Sequence, residues 1–365
     1  MAAKPSAELR RALVERLDRR GLIASPEIRR AFLSVPRELF VPDFAARAGL
    51  EAVYRDEAIL TKQDTRGAAT SSSSQPAIMA LMLERLEPEA GARVLEIGAG
   101  TGYNAALLAA IGASVISVEL DPDTAADARA ALAATGYDAE IVTGDGRQGW
   151  PPGAPYDRMI VTASAAEIPR AWHDQLVEGG LLVVPLQLGA SGVQAIPALR
   201  REPDGFRSAS VLCGGFMPLR ARPDEEVAPP TGIDLPQGRG LAHLAGPELE
   251  GERRQHLLEV TREPPRVRRL GVRAPMWSLA LYLAFEAPAG RFVHGPLGAG
   301  VIGADGGSLA LASGSRLLAW GGDEAERLLE RLLAQWRERG RPDENRLELT
   351  VRFEDGRSRI AHRWL

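Results

Sequence analysis

The sequence predicts an α/β protein: a doubly wound, mostly parallel Rossmann-like sheet, preceded by a helical region and followed by a smaller α+β domain. Three observations carry that expectation. Short apolar runs alternate with Ala- and Leu-rich helical segments between residues 93 and 186, as in successive βαβ units. The first run, Val94, Leu95 and Ile97, leads into the turn Gly98-Ala99-Gly100-Thr101-Gly102. The second, 114–119, ends on the acid Glu119. Helices of this length make right-handed crossovers, and ligands in such sheets bind beyond the C-terminal ends of the strands.

In chain order, residues 6–19 place Leu9, Leu13, Val14 and Leu17 on one face of a charged helix. Ser25 and Pro26 open a second helix as cap and first residue, and it ends near Val35-Pro36-Arg37-Glu38. Leu39-Phe40-Val41-Pro42 is expected to be extended, as is 54–60, so that residues 1–70 form a helical region ahead of the sheet. Gly67-Ala68-Ala69-Thr70-Ser71-Ser72-Ser73-Ser74-Gln75-Pro76 has the composition of a flexible linker. The residues after Pro76 argue otherwise. Ile78, Met79, Leu81, Met82 and Leu86 recur at helical spacing, which puts Ser74 where an N-cap belongs. A cap needs one hydroxyl, and the surplus points to a polar pocket wall.

Within the core, 71–220, helices are expected over 104–111, 124–134 and 169–176, and strands over 140–143, 156–162 and 181–186. Residues 221–240 carry proline and charge without periodicity, including Pro223, Pro229 and Pro230, and read as a linker. Beyond it, 278–285 is apolar at helical or buried-strand spacing. Short strands over 308–312 and 316–320, an amphipathic helix over 324–336 and an alternating strand over 346–353 make 241–365 an α+β domain.

The 365 residues are 45% apolar and 25% charged, ordinary values for a chain with a substantial core. A formal net charge of −4 gives no reason to expect nucleic acid or an anionic membrane as partner. One cysteine, Cys213, excludes an internal disulfide and any multi-cysteine metal site, and it lies in an apolar strand-like run that reads as core. Five scattered histidines imply no metal. Met1-Ala2-Ala3-Lys4-Pro5 lacks a signal-type apolar stretch, so the expected location is cytoplasmic.

The chemistry concentrates at the strand ends. Glycines there allow backbone to approach a ligand over a helix N-terminus. The spacing Gly-x-Gly-x-Gly departs from the dinucleotide fingerprint Gly-x-Gly-x-x-Gly, and Glu96 just before the turn ill suits a pyrophosphate. A nucleoside cofactor without phosphates fits, namely S-adenosylmethionine (SAM). Its expected contacts are Glu96, Gly98, Gly100, Gly102, Tyr103, Glu119, Leu120, Asp145, Gly146 and Thr162. Glu119 would accept from the ribose diol. Asp145 is either a turn residue or the acceptor for the adenine amino group. Glu96 either faces the pocket or pairs near the helix start.

Several motifs in order resemble protein-L-isoaspartate O-methyltransferases: Glu96-Ile97-Gly98-Ala99-Gly100-Thr101-Gly102-Tyr103, Gly144-Asp145-Gly146-Arg147-Gln148-Gly149-Trp150, Ala154-Pro155-Tyr156-Asp157, and Ile168-Pro169 with Gly179-Gly180. Upstream, Val35-Pro36-Arg37-Glu38 and Phe40-Val41-Pro42 fit too, and Phe216-Met217-Pro218-Leu219 resembles the family's final strand. The resemblance covers residues 1 to 220. It implies a SAM-dependent carboxyl methyltransferase acting on a peptide or protein that carries Asp or isoaspartate, with Ser74 as active-site hydroxyl and Ser73 and Thr70 beside it. Two features depart from it. The approach to the serine is Ala58-Ile59-Leu60-Thr61-Lys62-Gln63-Asp64, and a long tail extends beyond residue 220. Both resemble variants that act on ribosomally made lanthipeptides and graspetides, which implies methylation of an ordinary aspartate on the way to aspartimide. Repair of isoaspartyl proteins is the first alternative, and a non-catalytic SAM-fold binding protein the second.

Overall fold

The computed structural model describes residues 5–188, 192–226, 231–237, 240–271 and 275–365. Pro229 and Pro230 of the expected linker lie outside these residues, as do Met1 to Lys4. The N-terminal part supplies α1 (Ser6–Arg19), α2 (Pro26–Ser34), α3 (Pro42–Ala48) and α4 (Leu50–Val53). Ser25 Oγ accepts from the Ile28 N–H at the start of α2, as its sequence anticipates. Leu39-Phe40-Val41-Pro42 is a 3-10 turn running into α3 rather than an extended segment, because Pro42 has the φ of a first helical residue.

Residues before 70 are not wholly helical either. β1 (Ile59–Gln63) and β2 (Ala69–Ser73) form an antiparallel hairpin in which Ile59 faces Ser73, Leu60 faces Ser72 and Lys62 faces Ser71. The serine run is thus a strand. Gln75, not Ser74, is the N-cap of α5 (Pro76–Leu86), and no side chain bonds there. Pairing across the hairpin, which local propensity does not reveal, decides the conformation.

The central sheet is built from β3 (Arg93–Ile97), β4 (Ser114–Glu119), β5 (Ala139–Thr143), β6 (Tyr156–Val161) and β7 (Leu176–Val183), parallel in the order β7-β6-β3-β4-β5. Helices α6 (Tyr103–Ile111), α7 (Pro122–Thr135) and α8 (Arg170–Gln175) connect them. Strand order reverses at β3, the switch point where such sheets open a crevice. A short β8 (Leu186–Gln187), then β9 (Gln194–Glu202) and β10 (Gly205–Gly214), continue the sheet antiparallel beyond β7. Phe216-Met217-Pro218-Leu219 makes only an isolated bridge, Pro218 to Ser164, so β10 closes this half of the chain.

The remainder begins inside the stretch read as linker, with β11 (Gly232–Gln237). It continues through β12 (Gly240–Ala245), α9 (Gly251–Val260), β13 (Arg266–Arg269), α10 (Met276–Glu286), β14 (Phe292–Gly295), β15 (Gly298–Ile302), β16 (Ser308–Ser313), β17 (Arg316–Gly321) and α11 (Glu324–Glu338). Its sheet runs β11-β12-β14-β15-β16-β17-β13. The last hairpin, β18 (Leu347–Glu354) and β19 (Arg357–Trp364), leaves that sheet and pairs with β10, lengthening the central one. One apolar cluster accordingly spans both halves, from Leu95 and Trp172 through Phe206 to Leu279, Tyr282, Trp336 and Leu349. Among the described residues no helix is long and apolar enough to cross a membrane.

Candidate active site

A cavity of about 840 Å³ opens at the C-terminal ends of β3, β4 and β6. Thr70, Ser73, Ser74, Glu96, Gly98, Gly100, Tyr103, Glu119, Leu120, Gly146 and Thr162 all contribute to its wall. The sheet switch point and the serine strand therefore meet in one place.

The glycine turn shows why side chains are missing from it. Gly98 and Gly100 have φ of +95° and +52°, in the left-handed region that L residues avoid. A Cβ on Gly98 would sit 2.6 Å from Thr162 Oγ1, and one on Gly100 would sit 3.3 Å from the Ser72 carbonyl oxygen and 4.0 Å from Ser71 Oγ. The serine strand lies directly over the turn. Thr162 Oγ1 donates to the Gly98 carbonyl at 2.6 Å, which ties the end of β6 to the same turn. Gly102 has another duty: its missing Cβ leaves room for Ala128 of α7, 3.3 Å away, so it serves helix packing instead of the cavity wall.

Two carboxylates lie beneath. Glu119 is buried, with Oε2 accepting from the Gly100 N–H at 2.9 Å and Oε1 from the Asp121 N–H at 3.1 Å; burial pushes its pKa up. Glu96 is fully buried. Oε1 accepts from Asn104 Nδ2 at 2.7 Å and Oε2 from Ser117 Oγ at 2.5 Å, so it pairs with neutral partners rather than forming a salt bridge. Burial, partly offset by these two bonds, raises Glu96 from 4.5 to about 7. Asn104 Oδ1 is buried with no partner among the described residues. An acceptor left open in a cavity wall suits a ligand N–H.

Of the two roles read for Asp145, the turn is the one its contacts show. Arg147 Nη2 lies 2.7 Å from its Oδ2, while Oδ1 caps the 3-10 turn after it through the Arg147 N–H, and Gly146 forms the cavity wall in its place. The neighbouring arginine two residues on was the available signal. Ser73 lines the cavity and also meets a buried cation. The pleat of β2 turns its hydroxyl inward, where Arg37 Nε donates to Oγ at 3.4 Å. Cys213, read as core, is half-buried in the cavity wall, and burial pushes its thiol up to about 12.

Arg37 is the residue that sequence reasoning passed over. Its guanidinium is inaccessible to solvent. It donates to the Val53 carbonyl at 2.8 Å, the Arg55 carbonyl at 3.2 Å, the Glu57 carbonyl at 3.1 Å and the Ser74 carbonyl at 3.0 Å, and it sits 6.0 Å from the Tyr103 ring centroid. One cation thereby fixes α4, the approach to β1 and the end of the serine strand. A cue existed in the motif itself, an arginine between buried Val35 and the apolar Leu39-Phe40-Val41.

The model of the family described as protein-L-isoaspartate(D-aspartate) O-methyltransferase matches residues 8–222, which contain the whole glycine turn and serine strand. The chain belongs to this family. Among its relatives, the protein-L-isoaspartate O-methyltransferase of Methanoregula boonei is 40% identical over 217 residues, covering 59% of this chain and 94% of the relative. Protein-L-isoaspartate O-methyltransferase 1 of an Anaeromyxobacter species is 41% identical over 218 residues, covering 59% and 95%. A solved structure titled protein-L-isoaspartate O-methyltransferase aligns over 96% of this chain and 99% of its own, with a TM-score of 0.56 and 27% identity.

The methyltransferase is SAM-dependent, and its cavity fits that donor. Glu119 and the open Asn104 Oδ1 offer acceptors, while Gly98 and Gly100 let backbone approach where a Cβ would intrude. When bound, SAM supplies a methyl group on a positively charged sulfur. What the chain contributes is a shaped recess in which the Ser72 carbonyl and Ser71 Oγ of β2 face the glycine turn.

Replacing Arg37 with methionine leaves four carbonyls without their donor and is expected to cost about 3 kcal/mol or more of stability, read as an earlier urea midpoint. The same variant should raise KM for the acceptor more than for SAM, and an unchanged midpoint would contradict the anchoring role. Glu96 supplies a pH signature. Its folded pKa lies above the unfolded value, so its contribution is fully present below about 4.5 and is lost as pH rises through about 7. Without SAM, urea stability should fall over that window, and Glu96→Gln should flatten the slope.

Proposed function

We propose that this methyltransferase esterifies the free carboxylate of L-isoaspartyl residues in proteins, as a repair activity. The reading is carried by one coincidence: every cavity residue but Trp277 falls within the family match, with the serine strand laid over the glycine turn. Relatives at about 40% identity that carry the isoaspartate name support it. So does the tail. Residues beyond 220 suggested a peptide-maturation variant, yet a solved protein of the isoaspartate type aligns over 96% of the chain, tail included.

The chemistry asks little of acid–base groups. A carboxylate with an ordinary pKa of about 4 is ionised at neutral pH, so its oxygen attacks without a general base. Positioning is the main contribution. An arginine clamp would draw charge from the attacking oxygen, whereas hydroxyls and backbone N–H groups hold it more gently. Ser74 and Thr70 are the hydroxyls for that task. The resulting methyl ester is electrophilic, and the next backbone nitrogen attacks it, expelling methanol and closing a succinimide.

A second reading is methylation of an ordinary aspartate in a ribosomally made, cyclised peptide such as a lanthipeptide or graspetide. The observation favouring it is the altered serine approach, since Ala58 and Leu60 of that stretch form cavity wall. Linear peptides that differ only in isoaspartate or aspartate separate the two. Turnover of the isoaspartyl peptide, read by mass spectrometry as methyl gain and then methanol loss, is expected to dominate; equal or faster turnover of a cyclised aspartyl peptide would reverse the choice. With the preferred acceptor, Ser74→Ala should lower kcat about tenfold to a hundredfold and leave SAM affinity unchanged by calorimetry. Equal loss of both would remove Ser74 from acceptor positioning.

A further inference from the structure

The family match ends at residue 222, yet the cavity wall includes one side chain from well beyond it, Trp277. Trp277 opens α10, whose inner residues Leu279, Ala280, Leu281, Tyr282 and Leu283 are all buried. Trp277 itself is 50% exposed, an unusual state for the largest apolar side chain. Its ring is held in place: it packs on His294 of β14, centroids 5.4 Å apart and planes at 44°. Burial lowers the His294 pKa, so the imidazole behind the indole stays neutral near pH 7. Leu60 of β1, 42% exposed, lines the same cavity from the hairpin side. α10 belongs to the apolar cluster shared with the central sheet, which gives the indole a rigid seat.

A cavity of about 840 Å³ lies toward the upper end for small-molecule sites, large enough for more than one ligand group. The SAM-binding turn accounts for one end, and the acceptor carboxylate for the β2 hydroxyls. Exposed apolar surface that continues from an active site marks binding of something larger than the reacting group.

We propose that Trp277, with Leu60, is a specificity-determining contact that grips an apolar side chain flanking the methylated residue in the acceptor polypeptide. The C-terminal part thus completes the substrate cleft of the catalytic half. This rests on the proposed carboxyl methylation of a polypeptide and adds which neighbours of the acceptor residue are favoured. An aromatic wall that loses its solvent on contact is the usual form of a strong binding residue.

The test uses the full chain and short isoaspartyl peptides of glycine and serine in which a single leucine is moved stepwise along both flanks. Methyl ester formation is tracked by mass spectrometry. Wild type should show lower KM when leucine occupies one particular flank position. Trp277→Ala should raise KM for that peptide roughly tenfold and leave the leucine-free peptide and SAM affinity unchanged, while Trp277→Phe keeps the preference. A wild type indifferent to leucine position, or a preference that persists in Trp277→Ala, overturns the assignment. So does a parallel loss of SAM affinity in Trp277→Ala, which would mark a folding defect at α10. A wild type that esterifies none of the peptides overturns the proposed function, and this inference with it.

Discussion

The site depends on how closely the serine strand approaches the glycine turn. Gly100 has no side chain, and the Ser72 carbonyl lies where a Cβ at Gly100 would be only 3.3 Å away. A side chain there would force the β2 backbone to give by a few tenths of an ångström, on top of the strain of a left-handed φ. The approach is held from behind by Arg37. A buried cation is costly to place, and it stays because four carbonyls, from Val53, Arg55 and Glu57 and from Ser74, converge on it. Strand, helix and turn are therefore held as one unit.

Electrostatics at the turn obey the same logic. Glu119 is kept buried by two backbone N–H donors, and Glu96 by Asn104 and Ser117. Both acids are raised by burial, so the site keeps its negative charge only where donors face it. That suits a cationic donor better than a phosphate. The C-terminal part enters the same design through packing. Its last hairpin adds to β10, α10 and α11 share the central apolar cluster, and Trp277 joins the cavity wall.

Much of this was legible in the chain. The strand-turn-helix unit around Gly98, Gly100 and Glu119 was readable because a βα turn is a local object, set by a few consecutive φ angles and one apolar run. The helix cap at Ser25 was readable for the same reason. Errors fell where a distant partner decides. Ser74 looks like a cap because the helix after it is obvious, while β1, which pairs with the serine run, is not. The packing of Gly102 against Ala128 on another helix was likewise not readable locally. Asp145 takes the turn role that its sequence also allowed, with Arg147 beside it on the carboxylate.

By itself the sequence determined the fold class, the family's glycine turn and the choice of a phosphate-free donor, because periodicity, glycine spacing and strand-end acids are short-range properties. Tertiary structure alone decided that the serine strand lies over the turn, that a buried Arg37 holds its end, and that Trp277 reaches the cavity from the far half of the chain. Those contacts join residues far apart in the chain, and no local pattern encodes which surfaces will meet when the apolar faces close on one another.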